Sequence, residues 1–156
     1  MKLTVIVVGR PGGLLADAIR EYEARAARYW PIEFVEVKAG RGRSAGDVQA
    51  AESARVLERV PEGVELFVLT RPGGDAWSSS RLARYLGEAG VRGRSGIAFM
   101  IGGAFGLSDE AIRQADRRMR LSTFTLPHDV ARLVLTEQLY RAGTIARGEP
   151  YHKGEE

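Results

Sequence analysis

Two rhythms of apolar residues alternate along the chain. "KLTVIVVG" (2–9) is a β-branched apolar run closed by glycine, which predicts a strand buried on both faces. Over 13–29, Leu14, Leu15, Ala18, Ile19, Tyr22 and Ala26 recur at helical spacing, and Trp30-Pro31 is expected to end that helix. "IEFVEV" (32–37) alternates apolar with charged, as a half-buried strand at a sheet edge does. A glycine- and arginine-rich loop (38–47) precedes a helix to about residue 59, which "PEG" (61–63) breaks. "VELFVLT" (64–70) is a second buried run. After the loop "RPGGDAWSS" (71–79), Ser78 or Ser79 caps a helix to about Glu88. "SGIAFMIGG" (95–103) is a third buried run. Ser108 is placed to cap the next helix, with acidic residues in its first turn. "RMRLSTFTL" (118–126) reads as a last short strand, and 128–146 as a final helix after Pro127.

Strands alternating with helices, the central strands apolar throughout, predict an α/β fold with a mainly parallel sheet and helices on both faces. No repeat, low-complexity tract or linker divides the chain, so residues 1–156 are expected to form a single domain. In the final helix, Val130, Leu133, Val134, Leu135, Leu139, Tyr140, Ala142 and Ile145 point in nearly every direction around the axis. A helix apolar all round is buried all round. One face can meet the sheet, and a second copy of the chain is the simplest cover for the other, giving a homodimer.

Composition narrows the chemistry. There are no cysteines, which removes disulfides, thiolate metal sites and thiol nucleophiles and fits a reducing compartment. The N-terminus lacks a signal-peptide pattern, and no stretch approaches the roughly 20 apolar residues of a membrane span. A cytoplasmic protein without membrane contact is expected. The net charge is +3 and the pI about 9.5, modest for a nucleic-acid binder. Of 23 basic residues only Lys2, Lys38 and Lys153 are lysine. Arginine suits phosphate contacts and base stacking, though a chain-wide excess equally reflects genomic composition.

Parallel α/β sheets bind ligands beyond the C-terminal ends of their strands. Three segments end there in suggestive loops: "LFVLTRPGG", "IAFMIGGAFG" and "LSTFTLPH". Gly102, Gly103 and Gly106 allow close backbone approach to a ligand, or serve only a tight strand-to-helix turn. "GRPGG" lacks the dinucleotide spacing, and no phosphate-binding P-loop exists. The glycine loop suits a ligand held by backbone and apolar contacts, such as an adenosine without phosphate. Two histidines without paired carboxylates make a metal site unexpected. His128 reads as structural, and Glu137 with Arg141 as an i,i+4 ion pair. By composition the terminal "RGEPYHKGEE" is a solvated end, yet it carries His152 between Tyr151 and Lys153.

At "IGGAFG", "LSTFTLPHDVARLVLTEQLYRA" and "GEPYHK" the sequence resembles the RlmH family, pseudouridine N3-methyltransferases of bacterial large-subunit ribosomal RNA in the SPOUT superfamily. The likeness spans essentially the whole chain. It implies a C-terminal trefoil knot, a homodimer and S-adenosylmethionine as cofactor. Matched to the family's motifs, Leu69, Gly102, Gly103, Gly106 and the stretch Ser122, Thr123, Phe124, Thr125, Leu126 and Pro127 would hold the cofactor. His152, Tyr151, Arg141 and Lys153 would serve catalysis, His152 as the base for the pseudouridine N3 proton, with Arg132 a further phosphate or anion contact. The target implied is ribosomal RNA in the large subunit or the whole ribosome, met through dispersed arginines such as Arg10, Arg41, Arg43 and Arg71. "TRPGGDAW" departs from the family, which often has an acidic residue and a G-K pair there. A catalytically inactive RNA- or ribosome-binding module is the rival reading, and a dinucleotide oxidoreductase a weaker one.

Overall fold

The computed structural model describes residues 1–153. Six strands form one sheet: β1 (Lys2–Val8), β2 (Ile32–Val37), β3 (Glu65–Leu69), β4 (Asp75–Ala76), β5 (Gly96–Ile101) and β6 (Arg117–Arg120). Their order is β2-β1-β5-β3-β6-β4, and every pairing is parallel. Parallel neighbours need crossovers, which the helices supply. These are α1 (Ala16–Ala26), α2 (Ala45–Glu58), α3 (Ser79–Val91), α4 (Asp109–Gln114) and α5 (His128–Ala146).

The continuous apolar runs are explained by two cores. Successive strand residues point to opposite faces. In β1, Leu3, Val5 and Val7 face one core while Ile6 and Val8 face the other. In β5, Ile97, Phe99 and Ile101 join the first core, and Ala98 and Met100 the second. Residues from α1, α3 and α5 close the first core; Val56 of α2 and Ala111 of α4 close the second. Each fully buried Phe, Leu or Ile contributes roughly 1.5–3 kcal/mol. The expected edge strand is β2, where only Val35 and Val37 are buried.

Serine caps set the helix starts. Ser44, Ser78 and Ser108 each accept from a backbone N–H three residues on, at 3.1, 3.1 and 3.2 Å. Ser78, not Ser79, is therefore the cap of α3, and that helix runs on to Val91. The stretch read as one helix from residue 13 begins with a short 3₁₀ turn, Gly13–Leu15, and α1 ends at Ala26. Leu14 consequently points into solvent, 99% exposed, rather than joining the apolar face.

The largest departure concerns 118–126. Only Arg117–Arg120 is strand, because β6 finds backbone partners in β3 and β4 over that length alone. Residues 121–126 leave the sheet as a loop. The all-round apolar α5 is largely satisfied within the chain: it is flanked by α1 and α3 and rests on β5, so no residue from His128 to Ile145 is fully exposed. Val130, Leu133 and Val134 remain half-buried. Trp30 Nε1 donates to the Leu139 carbonyl at 2.8 Å. Arg132, expected as a phosphate contact, is 4% exposed and held by Glu23 and Glu36 at 2.5 and 2.7 Å, tying α5 to α1 and β2. No helix of the described residues is long and apolar enough to cross a membrane.

Candidate functional site

Beyond the C-terminal ends of β3, β5 and β6 lies a cavity of about 480 Å3. Its wall is built from the three loops the sequence singled out. Leu69, Thr70 and Arg71 come from the exit of β3, Ile101 to Leu107 from the exit of β5, and Arg120 to Ser122 with Phe124 to Leu126 from the exit of β6. The first residues of α5 close it, with His128 and Ala131. Of the expected cofactor residues, Leu69, Gly102, Gly103, Gly106, Ser122, Phe124, Thr125 and Leu126 line this space, whereas Thr123 and Pro127 do not. Ser122 Oγ accepts from the Phe124 N–H at 2.9 Å, a local turn that shapes the post-β6 loop.

The glycine loop is held in a tight, specified shape. Gly106 has φ +73°, a conformation that L side chains rarely adopt, and its N–H donates to the Gly103 carbonyl at 3.0 Å. A side chain on Gly102 would put its Cβ 2.6 Å from the Gly106 carbonyl carbon, so only glycine fits there. Three residues of α2 support the loop from behind. Gln49 Nε2 donates to the Phe105 carbonyl at 2.8 Å, and Ser53 Oγ accepts from the Ser108 N–H at 2.8 Å. Glu52, 3% exposed, accepts from the Gly40 N–H at 2.9 Å with Oε2. Its Oε1 is buried without a partner, 2.6 Å from where a Gly103 Cβ would stand. The trace of these supports in the sequence is Glu52, which falls four residues from both Val48 and Val56 and so on one face of α2 with them.

The cavity wall is mixed. Leu69, Ile101, Leu121 and Leu126 supply apolar surface, while Arg71, Arg120, His128 and Asp109 are its ionisable side chains. Phe105 and Phe124 line it too and are 51% and 80% exposed, two aromatic rings open to solvent beside it. His128, read as structural, thus sits at the site, its Nε2 3.4 Å from Asp129 Oδ1. Arg120, Asp109 and Phe105 were not anticipated either.

The proposed catalytic residues gather elsewhere. Far from reading as a solvated end, the tail folds into a 3₁₀ turn, Pro150–His152, against the C-terminal half of α5. Tyr151 Oη donates to Glu137 Oε1 at 3.0 Å, and its ring lies 4.6 Å from that of Tyr140. Arg141 donates to the same Glu137 oxygen from Nε and Nη2, at 3.0 and 2.7 Å, with its guanidinium 5.0 Å from the Tyr151 ring centre. Burial, with hydrogen bonds to Tyr22 and Glu137, pushes the Tyr151 phenol well above its ordinary range, so it stays a neutral donor. His152 Nδ1 is buried with no hydrogen-bond partner. None of Arg141, Tyr151, His152 and Lys153 lines the cavity. The cavity meets α5 at His128 and Ala131 and the tail meets it near Glu137 and Arg141, roughly 9–20 Å further along the axis at 1.5 Å per residue. The structure therefore gathers the cavity loops in one place and the tail residues on α5 in another, and keeps the two groups apart within one chain. Among the described residues no cluster of three or more His, Asp or Glu is arranged to hold a metal.

The family model described as "Predicted SPOUT methyltransferase" matches residues 1–152. A curated relative from Gemmatimonas aurantiaca, "Ribosomal RNA large subunit methyltransferase H", is 49% identical over 156 residues, covering 98% of this chain and 100% of that protein. Among solved structures, a candidate RNA methyltransferase from Bacillus anthracis superposes with TM-score 0.53 at 16% identity, over 96% of this chain and 99% of that one. A candidate methyltransferase from Legionella pneumophila, solved with SAM bound, gives TM-score 0.50 at 12% identity, over 91% of this chain and 66% of that one. At those identities the two structures speak for the fold. The near-full-length match to the family model and the 49% identity to a large-subunit methyltransferase H establish that this chain belongs to the SPOUT methyltransferase family, on its ribosomal RNA methyltransferase H branch.

Proposed function

We propose that this protein is an S-adenosylmethionine-dependent methyltransferase that modifies N3 of a pseudouridine in large-subunit ribosomal RNA, acting as a homodimer on an assembled subunit or ribosome. The observation that carries the reading is the convergence of three loops, from β3, β5 and β6, on one cavity. Those loops hold the residues that the family resemblance assigned to the cofactor. The relatives' shared name supports ribosomal RNA as the substrate, and the SAM-bound fold neighbour supports the cofactor.

The cavity suits the cofactor on its own evidence of shape. Leu69, Ile101, Leu121 and Leu126 offer apolar surface for an adenosine, and Gly102 and Gly103 leave backbone, rather than side chains, beside the space. When bound, the cofactor supplies an electrophilic methyl group on a sulfonium. The chain's own task is to orient the base in line, exclude water and remove the N3 proton. The loop 121–126, lying against the β3 and β5 exits, is where we place the family's trefoil knot.

His152 is the proposed base, and the separation of the tail from the cavity gives the dimer its purpose. A two-fold pairing that covers the half-buried Val130, Leu133 and Val134 would carry each subunit's tail to the other's cavity. There Tyr151, held neutral, and Arg141 would orient the His152 ring or the uracil carbonyls, and Lys153 would meet phosphate. Arg10, Arg41, Arg43 and Arg71 are exposed and available for RNA.

The test is a mixed dimer. His152→Ala alone should abolish most methyl transfer to ribosomes while S-adenosylmethionine still binds. A heterodimer of a His152→Ala subunit and a cofactor-weakened Gly102→Ala subunit, assayed at S-adenosylmethionine concentrations too low to load Gly102→Ala, should regain part of the activity. Unchanged methylation by His152→Ala homodimers would refute the role of the base, and a heterodimer as inactive as its parents would refute the shared site.

A further inference from the structure

Arg120 is the last residue of β6, and it lines the main cavity as well as a smaller one of about 260 Å3 between α3 and α5. Its Nε is buried with no hydrogen-bond partner. No carboxylate among the described residues pairs with its guanidinium, unlike Arg117 on the same strand, which donates to Glu65 at 2.6 Å, or the buried Arg132, held by Glu23 and Glu36. A guanidinium with a buried, unsatisfied N–H is costly unless a partner arrives. Among the described residues lining the cavity the only acidic side chain is Asp109, set against Arg71 and Arg120, so the space favours an anion.

We infer that Arg120 is the oxyanion-binding residue of this site, its planar fork taking the two oxygens of a carboxylate or phosphate. The inference rests on the function proposed above, which supplies two sources of that chemistry. One is the amino-acid carboxylate of the cofactor, and the other a phosphate of the RNA beside the target base. In either case the ligand gives this cavity-lining guanidinium the anionic partner that no carboxylate of the described residues supplies.

Calorimetry with two ligands and a ribosome arm tests it. S-adenosylmethionine carries the carboxylate, whereas 5′-methylthioadenosine keeps the adenosine and lacks it. If the carboxylate is the partner, Arg120→Gln weakens S-adenosylmethionine roughly ten- to hundred-fold, leaves methylthioadenosine unchanged, and Arg120→Lys recovers part of the loss. If phosphate is the partner, both cofactor affinities hold. The KM for ribosomes then rises by a similar factor, and its salt dependence loses about one contact's worth of slope. Equal weakening of both small ligands would mean a purely structural role and would overturn the inference. So would a variant unchanged in all three measurements. A wild-type chain that bound neither small ligand would count against the proposed function instead, and the ribosome arm would then decide Arg120 alone. Retained methylthioadenosine binding also shows that the variants are folded.

Discussion

Replacing Gly102 with alanine should damage the site by a route that differs from the same change at Gly106. At Gly102 the new Cβ would meet the Gly106 carbonyl carbon at 2.6 Å, the Leu107 nitrogen at 2.8 Å and the Gly106 Cα at 3.0 Å. Comfortable carbon contacts are about 3.5–4.0 Å, so the loop must retreat by roughly 1 Å. It is poorly free to do so. Gly106 is bonded to Gly103, Phe105 to Gln49, and Ser108 to Ser53. Overpacking of this kind costs about 1–3 kcal/mol, which for a chain of this size lowers Tm by roughly 2–12 °C. Any retreat that relieves the strain also moves the cavity wall, so the Kd for S-adenosylmethionine should rise by about tenfold or more. At Gly106 an added Cβ meets nothing within 4 Å, but φ is +73°. There the cost is conformational, about 1–2 kcal/mol, and asparagine should recover much of it because asparagine tolerates that region. Asparagine at 102 should recover nothing. Thermal melts and titration calorimetry on Gly102→Ala, Gly102→Asn, Gly106→Ala and Gly106→Asn read all of this. Wild-type Tm and Kd in Gly102→Ala, or rescue of position 102 by asparagine, would refute the reasoning.

Other expectations are independent of the glycine loop. Glu65 is mostly buried; desolvation works against its charge, but the Tyr85 hydroxyl and the Arg117 and Arg94 guanidinium groups outweigh it and hold its carboxyl below the ordinary range. A lowered folded-state pKa gives stability that is present above the unfolded value, near pH 4.3, and is lost as pH falls through the folded value. Denaturant melts between pH 6 and pH 3 (a range chosen around the carboxylate values of about 4) should show a fall that Glu65→Gln reduces; identical slopes in both proteins would argue against it. Glu52→Ala removes the acceptor of the Gly40 N–H and the support behind Gly103, so it should cost about 1–3 kcal/mol in denaturant melts and weaken the cofactor, with Glu52→Gln closer to wild type. A Glu52→Ala protein of unchanged stability would contradict that account. Arg132→Ala would leave Glu23 and Glu36 without their shared cation, so a loss of about 3 kcal/mol is expected, and a Tm within 1 °C of wild type (well under the roughly 2–4 °C per kcal/mol for this size) would contradict it.

How much of this was legible in the sequence differs by element. β1, β3 and β5 are readable because both sheet faces are covered, so all their positions but Lys2, Thr4 and Glu65 are apolar or glycine and the run needs no alternation. The bounds of α5, His128–Ala146, and the Ser108 cap are legible in the sequence because Pro127 and the serine are local punctuation. What failed was non-local. "LSTFTL" has strand-like composition, yet β6 runs out of backbone partners at Arg120, and only the three-dimensional sheet can say so. The apolar breadth of α5 is met in large part by α1 and α3 within one chain, and Val130, Leu133 and Val134 stay half-buried, so that breadth alone does not decide for or against a second copy. Leu14 was counted into a helix face that starts only after the Gly13 turn, where φ is +61°. The two-residue β4 is too short to leave a pattern. The cavity loops were found from strand ends and glycines, whereas the role of α2 behind them depends on Gln49, Glu52 and Ser53 meeting a loop some fifty residues away in sequence. The ordering of the tail was illegible because Tyr140, Tyr151 and Glu137 meet only after α5 folds back against it.

In the proposed function the three-loop cavity and the histidine-bearing tail together methylate a ribosomal pseudouridine. Ribosomes lacking the modification, incubated with the purified protein and labelled S-adenosylmethionine, measure this most directly, with mass spectrometry of large-subunit RNA fragments locating the methyl group. The account predicts one added methyl on the uracil ring of one pseudouridine, lost when His152 is replaced by alanine. No methyl transfer by a protein that binds the cofactor, or a methyl placed on ribose or on another base, would contradict it.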